Sequence, residues 1–523
     1  MNPTAGPQFS ILTPVYDPPV PMLRAMVASV QAQTYRNWQL VLVDDCSPNP
    51  AVRRELRELA AGDDRITLVE REANGGIVAA SQDALMAAVG EYVALLDHDD
   101  LLAADALTTV AATIARYPDA DYLYSDEDKV SADGVHFDVF RKPDWSPERL
   151  RCQMYTGHLS VLRTGLVRAV GGFQQGSDGS QDHDLALRVT EKARRVVHIP
   201  HILYHWRAIA GSTAHEPDAK PYAWEAGLRA VQRHLDRTGI AGRAYPGALP
   251  GTYRIVRRIP PHLRISVVIP TRGTQGLIWG EWRVLVVETV RSVLARTQHA
   301  DVEIVVVYDE PTPPAVLAEL QALVGERLVL VPFREPFNFS AKCNVGFIES
   351  TGDVVVFLND DMQAVSDGCL EQLVAPLSEP GVAATGARLI FADGRLQHAG
   401  HVYARGEMMH ACLGWPEHAE GPFRALLVNR ECSGVTAACL AMARATFEQV
   451  GGFCEELPGN FNDVDMSYKL RRTGGRILWL ADVTLYHFES QTRETTVEQW
   501  EYDHIMRRWG TPEVDPYFPV DYS

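Results

Sequence analysis

The feature that most constrains this chain is that it is written twice. Gly90 is followed by EYVALLDHDD and Gly352 by DVVVFLNDD, so in both places a short apolar run ends in carboxylates. Alignment on the two glycines sets Asp97, His98 and Asp99 against Asn359, Asp360 and Asp361. Apolar runs of this length, bounded by turn residues, fit fully buried parallel strands. The carboxyl end of such a strand is where open α/β sheets bind ligands. Side chains alternate along extended backbone, which predicts Asp97 and Asp99 on one side, within reach of one hard divalent cation. A single Asp-x-Asp equally suits an acidic cap on the next helix; repetition of the cluster favours a ligand.

The remainder of the duplication is collinear. ISVVIP (265–270) repeats residues 10–14, and residues 303–309 repeat 39–45, each ending in an aspartate, Asp309 and Asp45. GGF at 451–453 repeats 171–173, Asp463 and Asp465 repeat Asp182 and Asp184, and Tyr486–His487 repeat Tyr204–His205. Asp45 to Asp99 is 54 residues and Asp309 to Asp361 is 52; Asp182 to His205 is 23 and Asp463 to His487 is 24. Duplicated folding explains duplicated strands, but not acids and a histidine kept at matching strand and loop ends, where packing has least need of them.

Along the first copy, residues 9–15, 38–43, 66–69 and 92–96 read as strands, and 20–33, 52–61 and 76–89 as helices. This βαβαβαβ alternation predicts an α/β fold, a mostly parallel Rossmann-like sheet with right-handed crossovers. Asp45 is also placed to cap the helix over 52–61. Residues 125–134 (SDEDKVSADG) read as an acidic loop ending in a turn, with no metal role, and Asp182 sits in the first turn of a helix, where the dipole alone favours a carboxylate. The stretch 245–262 contains four prolines and marks a junction. The domains expected are 1–250 and 263–493, joined by a linker at 251–262 and followed by a helical tail, 494–523.

A formal net charge of −18 disfavours a nucleic-acid groove, whose affinity rests on neutralising phosphates. The eight cysteines include no Cys-x-x-Cys pair, as in a reduced, cytoplasmic protein. The N-terminus MNPTAGPQFS lacks a basic region followed by an apolar core, and apolar runs such as 354–358 fall far short of the roughly 20 residues a membrane span needs. The expectation is a cytoplasmic protein with no transmembrane segment. Arg254, Arg257, Arg258 and Arg264 form a basic strip suited either to peripheral binding at the inner face of the plasma membrane or to salt bridges between domains.

Four polar elements recur in each half: an Asp after the second strand, an acidic triplet after the fourth, an Asp at a helix start and a late His. A diphosphate leaving group accounts for all four. The first Asp suits the N–H of a base, the triplet and the His suit Mg²⁺ or Mn²⁺ bridging two phosphates, and the helix-start Asp is left to take a proton from an attacking hydroxyl.

The passages NGGIVAAS, LLDHDDLL, YSDEDK, KPDW, GSQDHDLALRV and LYHWR, then PFNFSAKCN, FLNDDM, DGRLQHAG, VTAACL, FNDVDMSYKLR and LYHFES, make the chain resemble a tandem pair of family-2 glycosyltransferases with the GT-A fold. The resemblance runs from about Phe9 to Arg493 and is nearest to enzymes of bacterial O-antigen and capsule assembly, including rhamnosyltransferases. It implies catalytic bases at Asp182 and Asp463 and metal ligands at Asp99, His205, Asp361 and His487. Donor contacts fall at Pro14, Tyr16, Asp45, Asp97, Pro270, Asp309 and Asp360. It further implies an inverting displacement, a UDP-, dTDP- or GDP-linked sugar donor and a lipid-linked glycan acceptor. The family's usual Glu before the base is Gln181 in one copy and Asn462 in the other, Asp44 is matched by Tyr308, and Asp97 by Asn359. The alternative is one active domain beside a degenerate nucleotide-sugar-binding one. The Gln-x-x-Arg-Trp of processive membrane synthases is absent, since Ile505 stands where Gln is required before Arg508 and Trp509. A sugar-phosphate nucleotidyltransferase would need a glycine-rich loop after the first strand, and residues 13–19 (TPVYDPP) have none. From the metal Asp to the base, the second copy is longer, 102 residues against 83, where acceptor contacts would lie.

Overall fold

Strand Phe9–Val15 is buried almost throughout and pairs in parallel with both Trp38–Asp44 and Tyr92–Leu95. Helix Val20–Gln31 lays Leu23, Met26, Val27 and Val30 against this layer, the i, i+3, i+4, i+7 stripe that its sequence spells. The computed structural model describes residues 6–208, 221–488 and 497–519. Its sheet runs Ile66–Glu70, Trp38–Asp44, Phe9–Val15, Tyr92–Leu95, Ser160–Arg163, Ala120–Val130, Arg195–Arg207 and Leu101–Leu102 in spatial order, with His136–Phe140 on the side of Ala120–Val130. The first four strands are mutually parallel; Ser160–Arg163 then enters antiparallel to both its neighbours.

The second copy builds the same order from Leu328–Phe333, Val302–Asp309, Ile265–Thr271, Val354–Leu358, Cys439–Ala443, Val382–Ile390, Arg476–His487 and Met362–Ala364. Chain order reverses beside Phe9–Val15 and beside Ile265–Thr271, so each sheet has one crevice at its strands' carboxyl ends. The chain divides into two compact units: Met1–Trp145, Leu150–Gly239 and Ala244–Tyr253 form the first, and Ser146–Arg149, Ile240–Arg243 and Arg254–Ser523 the second. The proline-bearing junction is not open coil, since it contains strand Tyr253–Arg257.

One sequence expectation is corrected. Residues 125–130 are not loop but the end of strand Ala120–Val130, in which Asp126, Glu127 and Asp128 are buried. Their charges gave a loop signal, yet each has a partner: Asp126 meets His198 and the Lys142 amide, Glu127 meets Lys142, and Asp128 meets His205 and His136. Of the four arginines read as a basic strip, two are engaged in salt bridges within the second unit. Arg257 is buried between Glu148 and Glu379, with Nη2 and Nε each 2.6 Å from a carboxylate oxygen, and Arg264 pairs with Glu303 at 3.3 Å. Among the described residues no helix is long and apolar enough to cross a membrane.

Candidate functional site

Short edge strands bring the acidic clusters and the late histidines together. Met362 pairs with His487 in one unit and Leu101 with His205 in the other. In the second unit this closes a cavity of about 530 Å³, lined among others by Pro270, Asp360, Asp361, Asp463 and His487. That volume suits one nucleotide-sized ligand. Asp309 stands beside it, its Oδ1 2.6 Å from Nζ of Lys342, another cavity residue.

The proton positions around His487 follow from its partners. Nδ1 lies 2.7 Å from Oε1 of Gln397 and donates to it, while Nε2 accepts from the Asn359 amide at 3.3 Å. Nε2 also stands 3.1 Å from Oδ1 of Asp361. Oδ1 is a buried oxygen that the protein's hydrogen bonds leave unsatisfied. A carboxylate oxygen and an imidazole nitrogen about 3 Å apart span the edge of an octahedron with bonds of about 2.1 Å, so this donor pair fits Mg²⁺ or Mn²⁺. Asp360 beside it accepts from Thr271 Oγ1 at 2.6 Å, and burial together with the Asp361 charge pushes its carboxyl up to about 7.

Asp463 is not a helix cap. It is the second residue of helix Asn462–Arg472, whose N-cap, Phe461, has left-handed backbone (φ 56°). Its Oδ1 accepts from the Val464 amide at 2.8 Å, and Oδ2 lies 3.4 Å from the Ala437 amide and 3.8 Å from Nε2 of His401. Asp465, by contrast, is fully buried and held by Lys469 and the Trp509 indole, both at 2.8 Å, so of the two acids only Asp463 lines the cavity.

The first unit repeats part of this. Asp182 is again second in its helix, Gln181–Thr190, and accepts from the next amide, while Asp184 is fully buried against Arg188. His205 Nδ1 donates to Asp128 at 2.6 Å, as Nδ1 of His487 donates to Gln397. Asp128, His136 and His205 offer ligand atoms within 4.8 Å of one another. Among the described residues, however, Asp99 and His205 form no ion pair, whereas Asp361 and His487 do. Asp97 lies 3.7 Å from His158, and Asp100, one place on, is buried and bonded to the Tyr204 hydroxyl at 2.6 Å. Asp45 does not cap the helix Pro50–Gly62; it accepts from the Gly75 and Gly76 amides and from Arg71. This gives NGG its meaning, since a side chain at Gly75 would run into the Arg71 guanidinium. Pro14 and Tyr16 flank the end of the first strand, and Tyr16 is exposed.

Sequence reading missed Lys342, Arg71, Asp128 and Gln397, which hold the expected residues, and it missed His398, His401 and His410, which line the cavity. Gln397 and His398 stand inside DGRLQHAG; nothing in that spacing said that Gln397 would face His487 or that His398 would line the same cavity.

The acids, the histidine and the helix-start aspartate stand at one crevice of an α/β sheet, and comparison with known proteins gives the family. The model "Glycosyl transferase family 2" matches residues 10–168, and "Glycosyltransferase like family 2" matches residues 260–511. The chain belongs to the family-2 glycosyltransferases, with one copy of the family in each half. It is 40% identical over 530 residues to "Uncharacterized protein y4gI" of Sinorhizobium fredii, covering 98% of this chain and 57% of that one. It is 34% identical over 518 residues to "O-antigen biosynthesis protein RfbC" of Myxococcus xanthus, covering 98% of this chain and 40% of that one. The chain thus spans about half the length of these relatives. Among solved structures, S. aureus TarS 1-349 in complex with UDP-GlcNAc is 20% identical, covering 44% of this chain and 66% of that one with a TM-score of 0.37.

Proposed function

We propose that this chain moves sugars from nucleotide-diphospho-sugars to a growing bacterial surface glycan by an inverting displacement, with one donor site in each unit. The observation that carries the reading is the second unit's cavity, which gathers Asp360, Asp361 and His487 on one side and Asp463 on another. Asp361 and His487 would hold the divalent cation, Mg²⁺ or Mn²⁺. Bound there, it supplies neutralisation of the charge that builds on the departing diphosphate. Asp463 accepts the proton of the attacking hydroxyl, and its bonds to two backbone amides hold its orientation. The hydroxyl oxygen bonds to the anomeric carbon as the bond to the diphosphate breaks, and the electron pair leaves with the diphosphate. Asp309, neutralised by Lys342, is placed for a base N–H. In the first unit Asp182, Asp99, His205, Asp97 and Asp45 take the corresponding parts. The printed name of the Myxococcus relative supports O-antigen or a similar polysaccharide as the product. A lipid-linked acceptor at the cytoplasmic membrane face completes the reading, with the two units adding different sugars.

The test is a screen of UDP-, dTDP- and GDP-sugars, following released nucleotide diphosphate with and without EDTA, on the wild type and on Asp182→Asn and Asp463→Asn. Each variant should lose one transfer and keep donor binding. A second reading, in which only the second unit is active and the first binds donor alone, is favoured by the missing Asp99–His205 pair. It requires Asp182→Asn to be silent.

A further inference from the structure

The turn that follows GGF and the C-terminal helix Gln499–Arg508 pack together in the second unit. Buried Glu501 accepts from the Asn460 amide at 3.0 Å and from its side chain at 2.8 Å, and Ile505 packs with Leu457 and Val464, so the helix braces the loop leading to Asp463. At the same seam stand three side chains that the transfer does not use. Cys454, Glu456 and His504 each offer a ligand atom, and these atoms lie within 4.8 Å of one another. The Leu457 amide donates to the Cys454 carbonyl at 3.0 Å, closing a turn that carries the thiol and the carboxylate, and the helix supplies the imidazole. Six of the eight cysteines are buried; Cys454 and Cys46 are not.

Hydrogen bonding leaves this group open. Nδ1 of His504 stands 3.7 Å from Oε2 of Glu456, too long for a hydrogen bond, and Nε2 is a buried nitrogen with no hydrogen-bond partner among the described residues. Sγ of Cys454 receives one donor, Nη1 of Arg508 at 3.5 Å, and that guanidinium is also paired with Asp465 at 3.3 Å. A sulfur with one such contact keeps lone pairs for a further partner. Ligand atoms on a tetrahedral zinc with bonds of about 2.0–2.3 Å stand about 3.3–3.8 Å apart, a range that includes the Glu456–His504 separation. Glu456 is 77% exposed, so its carboxylate can turn onto an ion without disturbing the core. Thiolate, imidazole and carboxylate together select a borderline-soft ion such as Zn²⁺, whereas Mg²⁺ takes oxygen ligands. We infer that Cys454, Glu456 and His504 form a zinc site distinct from Asp361 and His487, with water in the fourth position. Binding exchanges the thiol proton, which goes to solvent, for a Zn–S bond, and it ties the C-terminal helix to the turn ahead of Asp463. The inference does not rest on the glycosyl-transfer reading.

The test uses the full chain, reduced and freed of metal with EDTA, with Co²⁺ and Zn²⁺ as probes and no sugar transfer. Co²⁺ should give a thiolate-to-cobalt charge-transfer band that saturates at one ion per chain, and Zn²⁺ but not Mg²⁺ should abolish it. Cys454→Ser should lose the band and Cys46→Ser should keep it. His504→Ala and Glu456→Gln should each weaken the binding that the band reports by about tenfold or more, since losing even an outer partner of a metal ligand costs that much. At a Zn²⁺ concentration about 100 times its Kd, the second unit's melting transition should rise by about 5 °C, and His504→Ala should not show the rise. A measurement on the wild type alone guards against variants that fail to fold: Zn²⁺ should protect Cys454, and not Cys46, from alkylation by iodoacetamide, mapped by peptide mass. The inference is overturned if the wild type gives no thiolate band, if the band survives Cys454→Ser, if His504→Ala binds as the wild type does, or if Zn²⁺ leaves the alkylation of Cys454 unchanged.

Discussion

Replacing Lys342 by Met should expose how the second donor site is held. The lysine is 1% exposed, with Nζ 2.6 Å from Oδ1 of Asp309 and 2.9 Å from the Thr271 carbonyl. At that separation two unit charges attract by about 6 kcal/mol for an effective dielectric of 20, a gross figure from which the cost of burying both charges is subtracted. Removing one partner of a buried pair costs about 3–5 kcal/mol, because the other charge is left unpaired. Asp309 retains 20% exposure and a second cation, Nε of Arg272 at 3.8 Å, which puts the expected loss at the lower end, about 3 kcal/mol. For a unit of this size that is a fall of roughly 6–10 °C in its melting transition. The assay is calorimetry on the full chain, resolving the two units' transitions, for Lys342→Met, Asp309→Asn and the double variant. The double variant should regain most of the loss and remain about 1 kcal/mol below wild type for the unpaired Thr271 carbonyl. A Lys342→Met transition at the wild-type temperature, or losses that simply add in the double variant, would refute the pairing.

Other outcomes follow from the same geometry. Gln397→Ala removes the Oε1 acceptor of His487 Nδ1–H and should weaken Mn²⁺ binding, read by electron paramagnetic resonance in an Asp99→Ala background, by about 10–100-fold. Arg257→Met leaves Glu148 and Glu379 buried together and should destabilise the second unit by about 3–5 kcal/mol, which Arg257→Met combined with Glu148→Gln should partly restore in denaturant unfolding. Burial alone would lower the His158 pKa, but Glu127 and Asp97 raise it to about 9. Its folded pKa thus exceeds its unfolded one, so its contribution to stability is complete below about pH 6.5 and is lost as pH rises to about 9. The first unit's melting temperature should fall over that window, and His158→Gln should flatten the slope.

The strand ends were legible because burial on both faces writes an apolar run that stops where the chain meets water: Trp38–Asp44 and Val354–Leu358 are such runs. Duplication did the rest, pointing to Asp361, Asp463 and His487, which do share a cavity. Buried charges were illegible for the opposite reason. Asp128 on strand Ala120–Val130 looks like solvent-facing loop until His205 and His136 are seen against it. Lys342, four residues into its helix, signals nothing about Asp309, 33 positions earlier in the sequence. Pairwise partners of this kind are set by tertiary packing, and one sequence carries no local trace of them. The same holds for His401, whose meaning depends on the hairpin register that sets it opposite His410.

The most direct measurement is rapid-quench, single-turnover sugar transfer by Asp463→Asn with a donor that the wild type uses, alongside donor affinity by calorimetry. An amide keeps the shape of the side chain and the bond from the Val464 amide but cannot take a proton. If Asp463 is the base, its transfer step slows by about 10²–10⁴-fold while donor affinity stays within about twofold, and the product of the first unit's transfer still forms. Wild-type rates for every product, or loss of donor binding in place of loss of rate, would remove Asp463 from the chemistry.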